Sequence, residues 1–461
     1  MIVRTALLGL CLGSVMFTPA LAKVSAEQAA QLGGPVLTTF GAQKAGNADG
    51  SIPPYTGGLG SIPPGITMAP KTFPPDPFAS DKALFSINSA NVDKYAASLT
   101  PGTVALMRKD PTYRIDVYPS RRTAYYPQWV LDNTRKNATT SELVGPVQGD
   151  GVANAYGGIP FPIPQNGNEL LWNNELKWQG QAWTEYSWEF FVDSSGHRTL
   201  NNATEGDEAF LFYDRSKTAM DDIFFQKDIQ RTFAPAAADG ALDLIEYPIN
   251  YGTSDSTIYT YTVGQRRVRL APEFKYDTPV AQAGGMFTYD EIDLWQGRSD
   301  RFDFKIAGKK EMYVPYNCYG INQPATTEDK LFTPKHMNPD YIRWEKHRVW
   351  VLDSTLKPGK RHIYSRRTFY LDEDTWAILA SEAYDQAGHL YRIGYTLSYP
   401  LYYAQDPFTF AISFLFYNLN TTGYSFTGYM GGETHGHVDT SSTLPSRSYF
   451  NPESLAGSGI R

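Results

Sequence analysis

Between residues 181 and 396 the chain repeats one pattern: a run in which apolar and polar side chains alternate, then a short polar or glycine turn. The run 181–193 (QAWTEYSWEFFVD) shows it, and similar runs cover 208–213, 243–250, 256–270, 301–316, 342–354, 362–371, 376–384 and 389–396. Alternation with a period of two places one set of side chains on each face of a strand. The joining turns at 193–196 (DSSG), 372–374 (DED) and 385–388 (DQAG) are short enough to reverse the chain directly. Serial strands with such turns predict an antiparallel meander, since parallel pairing needs long crossovers. The expected fold class is therefore α+β, one large antiparallel sheet with helices and long loops laid over it.

Upstream of the strands the chain has a different character. Arg4, an apolar stretch over 5–17 and the small-residue site Ala20-Leu21-Ala22 read as a cleavable secretory leader over residues 1–22. The apolar stretch is too short to span a bilayer. Residues 23–180 read as an extended arm followed by helices. Ser25 and Gln28 form a capping-box pair ahead of Gly33. Residues 33–77 are rich in Gly and Pro, and Thr100-Pro101 splits a helical pattern over 88–109. Further helices are expected over 124–143 and 167–178. The sheet is expected over 181–400, and an aromatic and glycine-rich region over 401–461. No internal run is apolar for long enough to make a membrane helix; the nearest, Phe408 to Tyr417, reads FTFAISFLFY.

Charge and cysteine content narrow the function. The formal charge is −7, and more acidic once Arg4 leaves with the leader. Such a balance excludes a nucleic-acid partner, which requires a basic face. Cys11 lies in the leader, so Cys318 alone remains and no internal disulfide can form. A lone thiol between Asn317 and Tyr319 at the end of a strand reads as buried and structural.

The stretch 118–174 is the most individual part of the sequence. It reads YPSRRTAYYPQWVLDNTRKNATTSELVG and, after a short spacer, AYGGIPFPIPQNGNELLWNN. Alternate prolines at 160, 162 and 164 impose an extended path without ladder hydrogen bonds. These motifs, with LTTFGAQKAGNADGSIPPYTGGL at 37–59, resemble the bacterial envelope family known as domain of unknown function 1329. That family resembles the outer-membrane lipoprotein-sorting superfamily. The resemblance implies an open, curved half-barrel covered by helices, and a periplasmic carrier of something lipid-like. It implies no catalytic residues and no cofactor. The hairpin block 361–394 (RHIYSRRTFYLDEDTWAILASEAYDQAGHLYRIG) carries the same likeness.

On that reading the apolar face of the strands walls a cavity. Phe369, Leu371, Trp376, Ile378 and Leu390, with the aromatic set Trp295, Phe302 and Phe304, are the expected lining. Adjacent arginines on a strand face opposite ways, so one of each pair Arg121-Arg122 and Arg366-Arg367 is a candidate for an anionic head group. Their competing role is pairing with nearby acids such as Asp372 and Glu373.

Other motifs carry less. Glu433, His435 and His437 in GGETHGH have alternate spacing suited to a metal, but flanking glycines favour a solvated loop, and no metal is assigned. Carboxylates occur together at Asp221-Asp222, Glu291 with Asp293, and 372–374, without a nucleophile elbow or a zinc-protease motif. The expected function is a periplasmic binding or shuttle protein for a hydrophobic or amphiphilic ligand. It would act between an inner-membrane transporter and the outer membrane, with transient membrane contact. A sixteen-carbon chain crossing water bare costs roughly 12 kcal/mol at about 0.8 kcal/mol per methylene, so a carrier must cover it. A periplasmic hydrolase of glycans or esters and an accessory subunit of an envelope complex are the alternatives. Mass spectrometry of the protein from an envelope fraction should find the mature chain starting at Lys23; a chain starting at Met1, or a lipid on Cys11, would contradict the periplasmic assignment.

Overall fold

The computed structural model describes residues 24–281 and 283–458, so the leader expected over 1–22 lies outside the described residues. Its framework is one open sheet of 16 strands. The order across the sheet begins Phe85–Asn88, Arg114–Val117, Arg343–Leu356, Arg366–Asp372, Ile378–Tyr384 and Leu390–Thr396. It continues through Phe414–Asn418, Tyr424–Tyr429, Ala182–Val192, Arg198–Ala209, Phe224–Ala234 and Leu242–Pro248, and ends on Thr257–Thr262 and Arg267–Leu270. Phe302–Pro315 pairs alongside Arg343–Leu356, and His437–Ser441 alongside Ala182–Val192. Pairing is antiparallel except between Arg343–Leu356 and Arg114–Val117.

The order departs from a simple meander in one respect. Two runs of neighbouring strands, 182–262 and 343–396, are joined by strands from the C-terminal region. Phe414–Asn418 pairs with Leu390–Thr396, and Tyr424–Tyr429 pairs with Ala182–Val192. The apolar segment 408–417 is thus divided between a short hairpin strand, Phe408–Phe410, and a central strand of the sheet. A central strand is covered on both faces, and all of Phe414–Asn418 is buried.

Local signals behave as their chemistry dictates. Ser25 and Gln28 close a capping box on the short helix Ala26–Ala29. Thr100 caps Pro101–Lys109 by accepting from the Thr103 amide. The helix expected over 124–143 is shorter, Gln128–Thr140, because Pro127 fixes its start. The segment expected as a strand over 208–213 splits into the end of Arg198–Ala209 and a 3-10 turn at Leu211–Tyr213. The strand Phe224–Ala234 had no counterpart among the expected runs.

The extended arm is fastened to the turn 372–375. The Arg122 guanidinium donates to both oxygens of Asp374 at 2.8 and 2.6 Å, and both side chains are buried. Tyr126 donates to the Asp374 carbonyl, Trp376 Nε1 to the Phe40 carbonyl, and Arg348 to the Ala45 carbonyl. Gly41 sits at φ 94°, where any Cβ would run into the Pro162 carbonyl of the proline-rich segment. Cys318 is fully buried, its thiol facing the Arg343 carbonyl at 3.4 Å. Replacing Arg122 by Ala leaves Asp374 as a buried charge without its partner. Chemical denaturation of Arg122→Ala should show a loss of about 3–5 kcal/mol, with recovery in Arg122→Ala/Asp374→Ala.

Candidate functional site

Four adjacent strands, Ala182–Val192, Arg198–Ala209, Phe224–Ala234 and Leu242–Pro248, alternate as expected, but with a consequence the pattern alone does not give. Their apolar set, including Ala209, Ile229, Leu242 and Leu244, packs outward against Phe450 and Leu455 of the C-terminal segment. Their polar set faces inward and floors a cavity of about 180 Å³.

The registers place that floor in rows. Glu189 lies opposite Asn202, and Ser187, Thr204 and Thr232 form the next row. Glu185, Gly206, Gln230 and Asp243 form a third, and Glu208, Asp228 and Ile245 a fourth. Gly206 leaves the hollow between Glu185 and Gln230: a Cβ there would stand 2.6 Å from the Gln230 amide nitrogen. Above the floor lies the segment 280–296, which contributes Val280, Phe287, Tyr289, Ile292, Asp293 and Gln296. Ile412, Phe414 and Thr427 close one side.

Two buried arginines hold this roof in place. Asp290 accepts from Arg367 Nη1 at 3.0 Å and faces His362 Nε2 at 2.9 Å. Burial alone would push the Asp290 carboxyl up, but Arg367 and His362 hold it well below the usual range. Glu291 takes the Thr288 amide at 2.9 Å, the Tyr364 hydroxyl at 2.9 Å and the Arg392 guanidinium. Immediately after these anchors, Asp293 and Leu294 sit at φ 51° and 64°. Non-glycine residues in this region carry backbone strain of order 1–3 kcal/mol each, which survives only where the surroundings fix it. The strain directs Asp293 to the cavity lining.

Burial dominates the electrostatics. Glu185 and Glu189 are pushed up to about 7 and Asp293 to about 6, in each case chiefly by desolvation. Glu208 and Asp228 rise well above the usual range through burial, and the Asp228 charge adds to the rise at Glu208. The two residues stand directly opposite one another on neighbouring strands. Gln226 donates to Glu208 at 2.8 Å and Gln230 to Asp228 at 2.9 Å. Glu185 Oε2, Asp293 Oδ1 and Gln296 Nε2 are buried with no hydrogen-bond partner among the described residues. Glu189 Oε1 and Thr427 Oγ1 of the same lining are also without a partner, and buried polar atoms are rarely left so.

The residues expected as the cavity wall lie elsewhere. Phe369, Leu371, Trp376 and Ile378 are 0–1% exposed within the core. Trp295 packs edge-on to Phe304 at 5.3 Å and Phe369 at 5.7 Å, Phe302 meets His362 at 4.9 Å, and Leu390 is half-buried. The structure thus gathers Trp295, Phe304 and Phe369 into one cluster, with Arg367 over the Trp295 and Phe369 rings. Of the expected head-group arginines, Arg121 pairs with Asp81, Arg122 with Asp374 and Arg367 with Asp290, while Arg366 lies over the Tyr384 ring at 3.9 Å. His437 stacks on Tyr186 and its Nδ1 faces the His435 carbonyl, while Glu433 lies in the intervening loop. A different trio, His347, Asp372 and Asp374, has ligand atoms within 4.8 Å of one another, but the Arg122 guanidinium occupies Asp374. Of the carboxylates singled out from sequence, Asp293 reaches the cavity. The signal for the others was present in Glu185, Ser187 and Glu189, polar at every second position of a strand.

A family model described as Protein of unknown function (DUF1329) matches residues 86–456, and the chain belongs to this family. It is 37% identical to an uncharacterized protein of Pseudomonas aeruginosa over 461 residues, 97% of each chain. It is similar to a solved DUF1329 family protein from Desulfovibrio piger, at 13% identity and TM-score 0.42, over 62% of this chain and 96% of that one. It is also similar to a solved LolA superfamily protein from Nitrosomonas europaea, at 8% identity and TM-score 0.36, over 62% and 98%.

The acid floor has a consequence for stability. A carboxyl whose folded value exceeds its unfolded one stabilises the fold below the unfolded value, and that stability is lost as pH rises through the folded value. For Glu185 and Glu189, raised from 4.5 to about 7, the loss falls roughly between pH 4.5 and 7. Denaturation of Glu185→Gln/Glu189→Gln should therefore show a flatter fall over that window, the gap growing to a few kcal/mol by about pH 8. Parallel curves for variant and parent would contradict the buried, proton-bearing state.

Proposed function

We propose that this chain is a periplasmic binding or shuttle protein for an amphiphilic ligand, and that the cavity over the four inner strands is its site. One observation carries the reading: the cavity joins an apolar roof, with Val280, Phe287 and Ile292, to a polar floor whose buried groups include unpartnered atoms. Sites for small molecules combine an apolar lining with a few converging polar groups in this way. The volume suits a head group and the start of a chain, leaving a longer tail to run outward. The leader read at residues 1–22 supports the periplasmic address, and no helix of the described residues is long and apolar enough to cross a membrane. Working between an inner-membrane transporter and the outer membrane remains part of the proposal.

One observation favours a hydrolase as the second reading. Asp293 at about 6 and Glu185 at about 7 lie in the range of a general acid, in a cavity that also holds Asn202, Gln226 and Gln230. Solvent extraction of the natively purified protein, followed by mass spectrometry, should release a stoichiometric amphiphile. The same extract from a variant with Ile292→Asp should be depleted while the protein stays folded. An empty extract, with turnover of glycoside or ester substrates that Asp293→Asn abolishes, would replace the binding reading by the enzymatic one.

A further inference from the structure

We infer that the ligand's head is positively charged: the cavity is a site for an organic ammonium on an alkyl stem, taken up in exchange for protons. The inference rests on the binding reading above and names the chemistry of the head.

The charge of the site sets its sense. The lining holds the carboxyl groups of Glu185, Glu189, Glu208, Asp228, Asp243 and Asp293, and no arginine or histidine. The strands supply five of these and the roof supplies Asp293, while the side formed by Ile412, Phe414 and Thr427 has no ionisable group. Tyr247 and Tyr289 also face the cavity, and burial pushes both phenols up, so they stay neutral. Beyond the lining, Lys177 interacts with Asp293, Glu175 and Glu208, its ammonium donating to the Asn174 carbonyl at 3.1 Å. Glu175 stands behind Trp295, accepting from its Nε1 at 3.0 Å. One ammonium against these acids leaves the site short of positive charge. A phosphate or carboxylate head would meet charge of its own sign, or force still more protons onto the floor.

The unpartnered oxygens Glu185 Oε2 and Asp293 Oδ1 belong to side chains 5% and 7% exposed, and they sit where a donor is wanted from the ligand. An ammonium offers three such donors and has no acceptor. A bare metal ion fits less well. Among the described residues the only three groups able to close round one ion are His347, Asp372 and Asp374, outside this cavity. The floor carboxyls are spread over successive strands, a spacing that suits donors set along a molecule. The roof residues Val280, Phe287 and Ile292, with Ile412 and Phe414, would cover the stem.

Proton balance follows directly. A neutral carboxylic acid that pairs with an incoming ammonium releases its proton to solvent, while the ammonium keeps its own. With Glu185 and Glu189 near 7 and Asp293 near 6, release falls in the neutral range. Affinity should then rise with pH.

Hexylammonium, hexanol and hexanoate are the probes, titrated calorimetrically into the delipidated full chain near pH 6 and near pH 8, in buffers of different ionisation enthalpy. Hexylammonium should bind saturably, release protons and gain about tenfold in affinity at the higher pH, while hexanol and hexanoate bind at least about tenfold more weakly. Glu185→Gln and Asp293→Asn should unfold no earlier than the parent near pH 8, yet each weaken hexylammonium about tenfold or more. Preference for hexanoate or hexanol, affinity falling with pH, or calcium ions alone occupying the site would overturn the inference. A neutral or anionic amphiphile in the native extract would overturn it too while leaving the binding reading standing. An empty extract with no saturable binding of any probe would sink both.

Discussion

The geometry of the site depends on two buried ion pairs that never touch the cavity. Asp290 with Arg367 and Glu291 with Arg392 tie one turn of the roof to two strands of the sheet that flank Ile378–Tyr384. Buried pairs of this kind add little net stability, because desolvation offsets much of their attraction. What they fix is position: the next residues, Asp293 and Leu294, hold left-handed backbone that an untethered loop would relax. The apolar partners also matter, since Arg367 lies against Trp295, Phe369 and Tyr364. Arg367, an expected head-group contact, thus acts with Arg392 as an anchor for the acid that faces the cavity.

The inner face of these strands inverts the usual arrangement, in which the alternating apolar set covers the core. Here Ala209, Ile229, Leu242 and Leu244 go outward, beneath the C-terminal segment, while Glu185, Glu189, Glu208, Asp228 and Asp243 are turned into the interior. Such a floor is tolerable only if its charges are suppressed. Desolvation drives the carboxyls toward their neutral form, and Gln226 and Gln230 supply donors to two of them. The result is a polar interior that stays compact with the Lys177 ammonium, among the described residues, as the one cation set against its acids. Function is the natural reason for keeping a surface so far from an apolar core.

Much of the framework was legible because strand alternation and caps are local. The runs 181–193, 342–354, 362–371, 376–384 and 389–396 became strands within a few residues, and Thr100-Pro101 opened a helix where its chemistry required. What was not legible depends on contacts between distant parts of the chain. Alternation says that a strand has two faces but not which is covered, so nothing local marks Glu185 and Glu189 as buried. Phe369 and Trp376 read as cavity wall because nothing local reveals that Trp295 and Phe40 pack against them. The strand Phe224–Ala234 was hidden because Lys227 and Arg231 alternate with Gln226, Asp228 and Gln230, so both faces read as polar; the last three are the residues that enter the site.

The position of the C-terminal strands bears on how the molecule can be made. Phe414–Asn418 and Tyr424–Tyr429 lie between the two larger runs of the sheet, so the middle of the structure comes from residues that follow both runs in the chain. Until those residues are available, Ala182–Val192 and Leu390–Thr396 each expose a long unpaired edge. Pairings across such sequence separations form slowly, because the loop must close before any contact rewards it. A sheet of this design stays uncommitted until its central strands are in place. The same design makes it depend on protection from edge-to-edge association during the interval before its final strands arrive.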